Sequence, residues 1–457
     1  MNYPVNTGRM GHSNGPLYLL AATLLLTGCR PAPTPPPAGF TTGFWFWQGS
    51  AFRQPRPVPP VDVLYIHVGN IRFDQFPSGS RWYAGGDIPS DLPPARQYWL
   101  VLRCDLHGVP DLKSVPLLLE SMHRLAAEAR DRKLTLAGLQ LDIDSPTGAL
   151  PRYAAYLHAV KQGLPPGMEL SITALLDWFR TGTAIPKVIA EIDEFVPQFY
   201  DLQGPRESLS NPAIAAPLSA AQWGPIFSRF QKRFRIGIST FGRARTVSAP
   251  HTQRVIYFHD AKPFDFGVNP YFALETSRTP AGELLLRYRA TRETNISYQE
   301  FEPGAGAEFV LATPESIRYA VAEARLLGPY CAGVLFFRWP SSAETLAAPP
   351  ADVLHAAGVL PASPAESVLV SQDGGCAAVH CTDLILAPGS RLSPTPASLR
   401  IRSTTPMEYI LPEPGIPLRM AGPLELSLRL PAYTARGQLY LGRVVSAQPA
   451  RFTLEPQ

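Results

Sequence analysis

The feature that most constrains this fold is a series of eight short apolar, β-branched or aromatic runs, most of them separated by segments with helical periodicity. This alternation is typical of parallel strands joined by crossover helices. The predicted strands are Gly43–Trp47, Asp62–Val68, Tyr98–Cys104, Leu136–Ile143, Glu169–Leu175, Phe195–Phe199, Phe234–Thr240 and Ala332–Arg338. Eight such units predict an α/β fold, a closed (β/α)8 TIM-like barrel over residues 41–361.

Helical patterns connect several of these strands, and the clearest are Val115–Arg130, Arg152–Gln162, Ala220–Lys232 and Pro314–Leu327. Thr313 is the predicted N-cap of the last helix, with Pro314 at its first position. A long insertion near residues 245–306 separates the seventh and eighth strands and contains a hairpin-like stretch. Long loops at this rim of a barrel often shape a binding cleft.

The pattern changes after Pro361, where short alternating strands and Pro or Gly turns replace the helical period. Residues 362–457 are therefore predicted to form a small all-β, sandwich-like domain. Two roles stay open for it, carbohydrate binding and packing support for the barrel. Cys376 and Cys381 are close enough in sequence to form a disulfide there, and the rival interpretation, metal binding, lacks a second suitably spaced Cys pair.

The first 29 residues have the pattern of a lipoprotein signal peptide: a polar start, an apolar run and the sequence Leu-Thr-Gly-Cys. Cys29 would carry the lipid, and residues 30–40 form a Pro-rich linker. The alternative is an ordinary secretory signal with a stray Cys. Because no Asp follows Cys29, we expect an envelope protein anchored in the bacterial outer membrane and facing the periplasm.

Composition limits the partners. Charged residues make up 17% of the chain and the formal net charge is +4, without long runs of one sign. A nucleic-acid partner is therefore not expected. The sequence also predicts neither a cofactor nor a metal site.

The fourth predicted strand carries the most informative polar residues. Because side chains alternate along a strand, Gln140, Asp142 and Asp144 share one face, and the apolar residues between them share the other. Packing the apolar face against helices would turn the polar face toward the barrel axis and its mouth. Two carboxylates placed there would repel each other, which raises the pKa of one and leaves an acid beside an anion. The alternative for Asp144 is helix capping, or a Ca²⁺ site with Ser145.

Other polar and aromatic residues lie near strand ends, where they could bind a ligand. Those predicted to contact it are Gln140, Trp178, Gln198, Arg243, Arg338 and Trp339, and further rim positions are Trp47, His67 and Asp105. Ordinary barrel packing is favoured for Trp47 and His67. For Trp178 the two interpretations are balanced.

The fourth strand resembles a motif of glycoside hydrolase family 18, the chitinase-like barrels. "AGLQLDID" follows that family's DGxDxDxE pattern, with Gly138 at the glycine, Gln140 at the middle Asp, Asp142 at the last Asp and Asp144 at the catalytic Glu. Ala137 replaces the first Asp.

Three later segments extend this resemblance in chain order. "FVPQFYD" is similar to the family's MxYD, "IGISTFGR" to GxPFYGR and "AGVLFFRWP" to GGxMxW. The resemblance implies that Tyr200 and Asp201 contact the ligand. It also implies that Asp144 protonates the glycosidic oxygen while Asp142 and Tyr200 hold a substrate N-acetyl group, so the catalytic candidates are Asp142, Asp144 and Tyr200.

The chain also resembles a bacterial family known as domain of unknown function 3142, in "LQLDID", "LSITALLDW" and a late Arg and Trp near "RWP". That family names no reaction. Two hypotheses follow: a lipid-anchored protein that binds, and as an enzyme hydrolyses, a polysaccharide containing amino sugars, or a non-catalytic envelope module for binding or assembly.

Overall fold

The computed structural model describes residues 39–47, 60–76, 79–104, 108–199, 218–247, 255–257, 262–296, 299–340, 344, 346–361, 367–377, 379–387, 393–433 and 438–456. The predicted signal peptide, the lipidation candidate Cys29 and nearly all of the predicted linker lie outside these ranges. Tyr200, Asp201 and Asp105 lie outside them as well.

The helices and strands follow one another in four groups. The first group is β1 (Thr41–Phe46), β2 (Val61–Phe76), β3 (Gly79–Gly86), β4 (Ala95–Cys104), α1 (Val115–Asp131), β5 (Leu136–Asp142), α2 (Leu150–Gly163), β6 (Glu169–Ala174), α3 (Ile185–Ala190), β7 (Glu194–Phe199), α4 (Ala220–Ser228) and β8 (Arg233–Ser239). The second is β9 (Arg243–Val247), β10 (Val255–Tyr257), α5 (Pro263–Val268), β11 (Phe272–Arg278), β12 (Leu284–Ala290), β13 (Thr294–Ile296), β14 (Gln299–Phe301) and β15 (Gly306–Leu311). The third is α6 (Pro314–Arg325), β16 (Cys331–Trp339) and α7 (Pro350–Ala356). The fourth is β17 (Val368–Asp373), β18 (His380–Ala387), β19 (Ala397–Ser403), β20 (Met407–Pro412), β21 (Leu418–Gly422), β22 (Glu425–Leu430), β23 (Leu439–Ser446) and β24 (Phe452–Pro456).

Eight parallel strands close into the predicted barrel. Their order is β1-β16-β8-β7-β6-β5-β4-β2, and the pairing of β1 with β2 closes the sheet. β2 continues beyond the barrel and pairs there with β3 in an antiparallel hairpin. Because all eight strands run the same way, their carboxyl ends, with the loops that follow, surround one mouth.

Two structural details bear on the predicted helices. The Thr313 hydroxyl accepts a hydrogen bond from the Ser316 amide at 3.2 Å, which confirms Thr313 as the N-cap of α6. The helix predicted to reach Lys232 ends at Ser228 instead. The chain leaves the helix there and passes through Gln231, whose φ is 49°, before β8 begins.

The barrel interior holds a buried charge cluster around Glu194 of β7, whose side chain is 0% exposed. Its carboxylate accepts hydrogen bonds from Arg233 Nε at 3.0 Å, Arg235 Nε at 3.1 Å and Ser171 Oγ at 3.4 Å, and from the Tyr65 hydroxyl. These donors compensate for the loss of water around a buried anion. Above the cluster, toward the mouth, aromatic and aliphatic side chains fill the interior, and outside the barrel a larger core packs the strands against the helices.

The insertion between β8 and β16 is a sheet with its own core. Its strand order is β10-β9-β15-β12-β11, and β13 and β14 form a separate hairpin. The sheet begins at Arg243 and ends at Leu311, a few residues beyond the predicted insertion on each side. Phe266 of α5 packs in this core against Tyr288 and Phe309, with ring centroids 5.4 and 5.5 Å away.

The chain after α7 forms two antiparallel four-stranded sheets, β17-β18-β23-β20 and β21-β22-β19-β24, around a shared apolar core. Cys376 and Cys381 are joined by the predicted disulfide, with Cα atoms 5.6 Å apart. Phe264 of α5 is buried in this core and Val268 of the same helix packs against it, so the sandwich contacts the insertion through this short helix. Within the described ranges, no helix combines the length and apolar character that crossing a bilayer requires.

Glu194→Gln tests the buried cluster. Losing the negative charge leaves Arg235 charged and only 7% exposed, so we expect the free energy of unfolding to fall by about 3 kcal/mol. Urea unfolding followed by circular dichroism measures it. Glu191→Gln is the matched control, because Glu191 pairs with His158 at the surface and its loss should cost about 0.5 kcal/mol. Equal effects of the two substitutions would contradict the conclusion that Glu194 is the buried counter-charge of Arg235.

Candidate functional site

The alternation predicted for the fourth barrel strand, β5, is present. Leu139, Leu141 and Ile143 are buried in the outer core against the helices. Gln140 and Asp142 therefore point toward the barrel axis, and both are buried, at 0% and 6% exposure. Asp144 follows the end of the strand and is exposed at the mouth.

Asp142 is held by its two neighbouring strands. Thr173 of β6 donates a hydrogen bond from its hydroxyl to Asp142 Oδ1 at 2.7 Å. Arg103 of β4, the register partner of Asp142, places Nη1 3.5 Å from Oδ2. A hydroxyl donor and a guanidinium on opposite oxygens suit a carboxylate that stays negatively charged.

Asp144 has a different environment. Among the described residues it makes no hydrogen bond or ion pair, and it caps neither the 3-10 turn at Thr147–Ala149 nor α2, whose N-caps are Pro146 and Ala149. Its pKa is raised, first by desolvation at the mouth and then by the negative charge of Asp142, while Arg103 opposes the shift. Repulsion by the neighbouring carboxylate, the cause expected from the sequence, therefore contributes to the pKa of Asp144, but desolvation is the larger cause.

An aromatic wall lies on the other side of Arg103. Trp47 stacks on His67 with ring centroids 4.4 Å apart, and Phe337 meets Trp47 edge-on at 5.9 Å. The Arg103 guanidinium carbon is 6.0 Å from the Trp47 ring, so this residue links the wall to Asp142. The packing role favoured for Trp47 and His67 is therefore incomplete, because both are half-buried at the mouth beside the charged groups.

Gln140 is corrected from a substrate contact to a structural residue. Its Oε1 accepts from Trp45 Nε1 at 2.7 Å and its Nε2 donates to Ser171 Oγ at 3.2 Å. Ser171 in turn reaches Glu194, so Gln140 connects Trp45 to the buried charge cluster. An amide suits this position because it donates and accepts at once.

The prediction that Trp178 contacts a ligand is corrected as well. Its side chain is 0% exposed, so the indole face is not available to a ligand. Its Nε1 donates to the Ser145 carbonyl at 2.9 Å and its ring meets Tyr153 edge-on. Because Ser145 follows Asp144, Trp178 holds the loop that presents the exposed carboxyl.

The remaining predicted ligand contacts have three different outcomes. Trp339 is wrong as a ligand contact, since it is 2% exposed and packs on Phe44 in the outer core at 5.1 Å. Arg243 lies in the insertion sheet with Nη2 3.2 Å from both oxygens of Glu283, and Arg338 is paired with Glu344, so both charges are already neutralised. Gln198 remains a candidate.

Gln198 shares the inward face of β7 with Glu194 and Val196 and lies one residue before the strand ends. It is 8% exposed, close to the value for Asp142. Tyr200 and Asp201, which follow the last residue of β7, lie outside the described residues, and so does Asp105. Their roles stay predictions.

Sequence reasoning missed Arg103 and Thr173. Arg103 follows Trp99 and Val101 on the inward face of β4, and Thr173 follows Ser171 on the inward face of β6. The alternation that was applied to β5 identifies both when it is applied to its two neighbours.

Residues 98–263 match the family described as "Domain of unknown function (DUF3142)". This confirms the second resemblance found in the sequence. The match runs from β4 to the start of α5, so it includes Arg103, Asp142, Asp144 and Thr173. No curated protein matches this chain in sequence.

Several solved structures are similar to this chain at low identity. A chitinase from Chromobacterium violaceum ATCC 12472 is 11% identical, covers 70% of this chain and 98% of its own, and has a TM-score of 0.43. The Bacillus cereus spore cortex-lytic enzyme SleL is 11% identical, with 71% and 75% coverage and a TM-score of 0.41. A class V chitinase from Nicotiana tobaccum is 12% identical, with 65% and 94% coverage and a TM-score of 0.41. At this level the likeness assigns neither a residue role nor an activity to this chain.

The raised pKa of Asp144 makes a prediction about stability. A carboxyl with a raised pKa stabilises the folded state below its ordinary value of 3.8, and that stability is lost as the pH rises through the folded pKa. We therefore expect Asp144→Asn to increase the free energy of unfolding at about pH 7 and to have no effect at about pH 3. Urea unfolding at both pH values measures this.

Asp142→Asn is the matched control, because it removes a carboxylate that Thr173 and Arg103 stabilise. We expect it to lower the free energy of unfolding by about 1.5 kcal/mol at neutral pH. If both Asn substitutions destabilised the protein equally at neutral pH, the two carboxyl groups would not differ as described.

Proposed function

We propose that this protein is a lipid-anchored glycoside hydrolase of the bacterial cell envelope, acting on a glycan that contains amino sugars. The observation that carries the proposal is the pair of unlike carboxyl groups at the barrel mouth. One is exposed and has a raised pKa, and the other is buried against a guanidinium and a hydroxyl. Glycoside hydrolysis needs one carboxyl that delivers a proton and one that stays negative.

Asp144 is the proposed general acid. A raised pKa keeps more of this carboxyl protonated toward neutral pH, and its exposure lets it reach the glycosidic oxygen of a bound glycan. The proton passes from Asp144 to that oxygen as the bond to the anomeric carbon breaks. Asp144 then accepts a proton from the water that completes the reaction.

Asp142 is the proposed stabiliser. In the mechanism implied by the family 18 resemblance, the carbonyl oxygen of the substrate N-acetyl group attacks the anomeric carbon, and Asp142 and Tyr200 hold that group. Positive charge then develops on the ring formed by the acetamido group, and a fixed negative charge nearby lowers its energy. Thr173 and Arg103 hold Asp142 in one orientation for this purpose.

The aspartate at position 144 is one methylene shorter than the family's glutamate. A displacement of about 1 Å can cost on the order of a hundredfold in rate, so the loop that carries Asp144 must place it correctly. Trp178 supplies that placement by holding the Ser145 carbonyl. The Trp47 and His67 stack offers an aromatic edge for a sugar ring on the opposite side of Arg103.

A panel of amino-sugar and neutral glycans, assayed with wild type and Asp144→Asn, tests the proposal. We expect wild type to release reducing ends from an amino-sugar glycan. The substitution should lower kcat by about a hundredfold or more while the Kd for that glycan stays within about twofold, because only the proton donor is lost. Asp91→Asn, an exposed position between β3 and β4, is the matched control.

The result that would overturn the enzymatic proposal is binding without turnover by wild type, unchanged by Asp144→Asn. The protein would then be a glycan-binding module on a barrel that no longer catalyses. If turnover were unaffected by the substitution, Asp144 would not be the proton donor.

The anchoring part of the proposal rests on Cys29 and the segment before it. Two-phase detergent partition of the full chain, expressed in a bacterial host that processes lipoproteins, tests it. We expect wild type in the detergent phase and Cys29→Ser in the aqueous phase, because a diacylglyceryl-modified chain carries far more apolar surface. Cys104→Ser is the control, since Cys104 is a buried cysteine far along the chain from the predicted lipidation motif. Equal partition of wild type and Cys29→Ser would contradict lipidation.

A further inference from the structure

A groove of about 760 Å³ lies beside the mouth, outside the barrel wall. Side chains of β2 and β3 form one side, and residues 109–113 before α1, together with α2, form the other. Residues 109–113 come after the strand that carries Arg103, and α2 comes after the strand that carries Asp142. The groove and the carboxyl pair are therefore built on the same two βα connections.

The apolar part of the groove is aromatic. Phe73 and Trp82 are register partners across the hairpin, and their ring centroids are 5.2 Å apart. Phe73 is 37% exposed and Trp82 is half-buried, so part of each ring is open to the groove. Two neighbouring rings on a twisted hairpin present an apolar surface suited to the C–H faces of a sugar.

The rim of the groove is basic. Arg81, Lys113 and Arg152 line it and are exposed, and Asp111 is the acidic residue among the lining side chains. Asp111 Oδ1 already accepts a hydrogen bond from the Lys113 backbone amide at 2.8 Å, where it caps a short 3-10 turn. Lys113 and Arg152 already outnumber Asp111, so these side chains leave the groove with an excess of positive charge, although the whole chain has a formal charge of only +4.

We propose that this groove binds an acidic stretch of the glycan, in which sugars bearing carboxylate or phosphate groups lie on Phe73 and Trp82 while Lys113 and Arg152 face the negative charges. The inference rests on the proposed function and names its substrate class. The aromatic rings select a saccharide, and the basic rim selects an anionic one. Being next to the mouth, the groove would hold part of a long glycan while another part reaches Asp144.

Binding measured by calorimetry on the full chain carrying Asp144→Asn tests the proposal without turnover. The probes are a hyaluronan hexasaccharide, which alternates amino sugar with a carboxylate sugar, and a chitin hexasaccharide, which is neutral. We expect the acidic probe to bind about tenfold more tightly at low salt, and the difference to shrink in about 1 M salt, where charges are screened within about 3 Å. Equal affinity of the two probes at low salt would overturn the anionic assignment.

Substitutions locate the binding. Lys113→Gln should lower the affinity for the acidic probe about threefold and leave the affinity for the neutral probe unchanged. Phe73→Ala should lower the affinity for both probes by about three- to tenfold. The matched controls are Lys187→Gln on α3 and Tyr409→Ala on β20, which are exposed positions outside the groove and should change neither affinity. If neither groove substitution changes the affinity of the acidic probe, the groove is not the site.

Two further measurements separate the remaining outcomes. A hexaglutamate peptide tests for charge alone, and binding as tight as that of the acidic saccharide would overturn the choice of a sugar. Inorganic phosphate as a competitor distinguishes phosphate from carboxylate recognition, and displacement by phosphate at lower concentration than by acetate assigns the phosphate-bearing glycan. Failure of wild type to cleave any glycan would overturn the enzymatic proposal and leave a groove with the expected binding pattern intact.

Discussion

The candidate site depends on side-chain hydrogen bonds between the neighbouring strands β5 and β6 inside the barrel. Ser171 and Thr173 are successive inward residues of β6, and each binds a polar side chain of β5. Ser171 accepts from Gln140 and reaches the buried Glu194 cluster, whereas Thr173 donates to Asp142. The interior of an eight-stranded barrel leaves no room for water around every polar group, so these side chains satisfy one another. Asp142 and Gln140 are therefore each fixed by a hydrogen bond from the neighbouring strand β6.

Local periodicity was enough to predict the architecture. The eight strands, the inward face of β5 and the cap at Thr313 each follow from residues close together in the sequence, because strand alternation and helix capping are local properties. The disulfide between Cys376 and Cys381 was predictable for the same reason. The five-stranded insertion sheet was not resolved beyond a hairpin, since its pairings join residues far apart in the chain.

The depth of a side chain in the barrel and its bonding partners were harder to predict than the face of the strand on which it lies. Alternation correctly turned Gln140 inward, but it does not say that this amide lies one layer below the mouth, bonded to Trp45. Trp339 reverses the expected face because the pairing of β1 with β16 shifts register between Phe44 and Phe46, which places this indole in the outer core. The charges of Arg243 and Arg338 were visible in the sequence, whereas their carboxylate partners were identified only by tertiary contacts.

The short helix α5 joins two parts of the molecule that the sequence suggested were separate. Phe264 enters the core of the sandwich, and Phe266, two residues later, enters the core of the insertion. Neither aromatic ring can leave its core without moving the other, because a single helical turn carries both. The C-terminal sandwich therefore helps to fix the position of the insertion. A chain cut after α7 would leave Phe264 of the insertion without the apolar core that buries it.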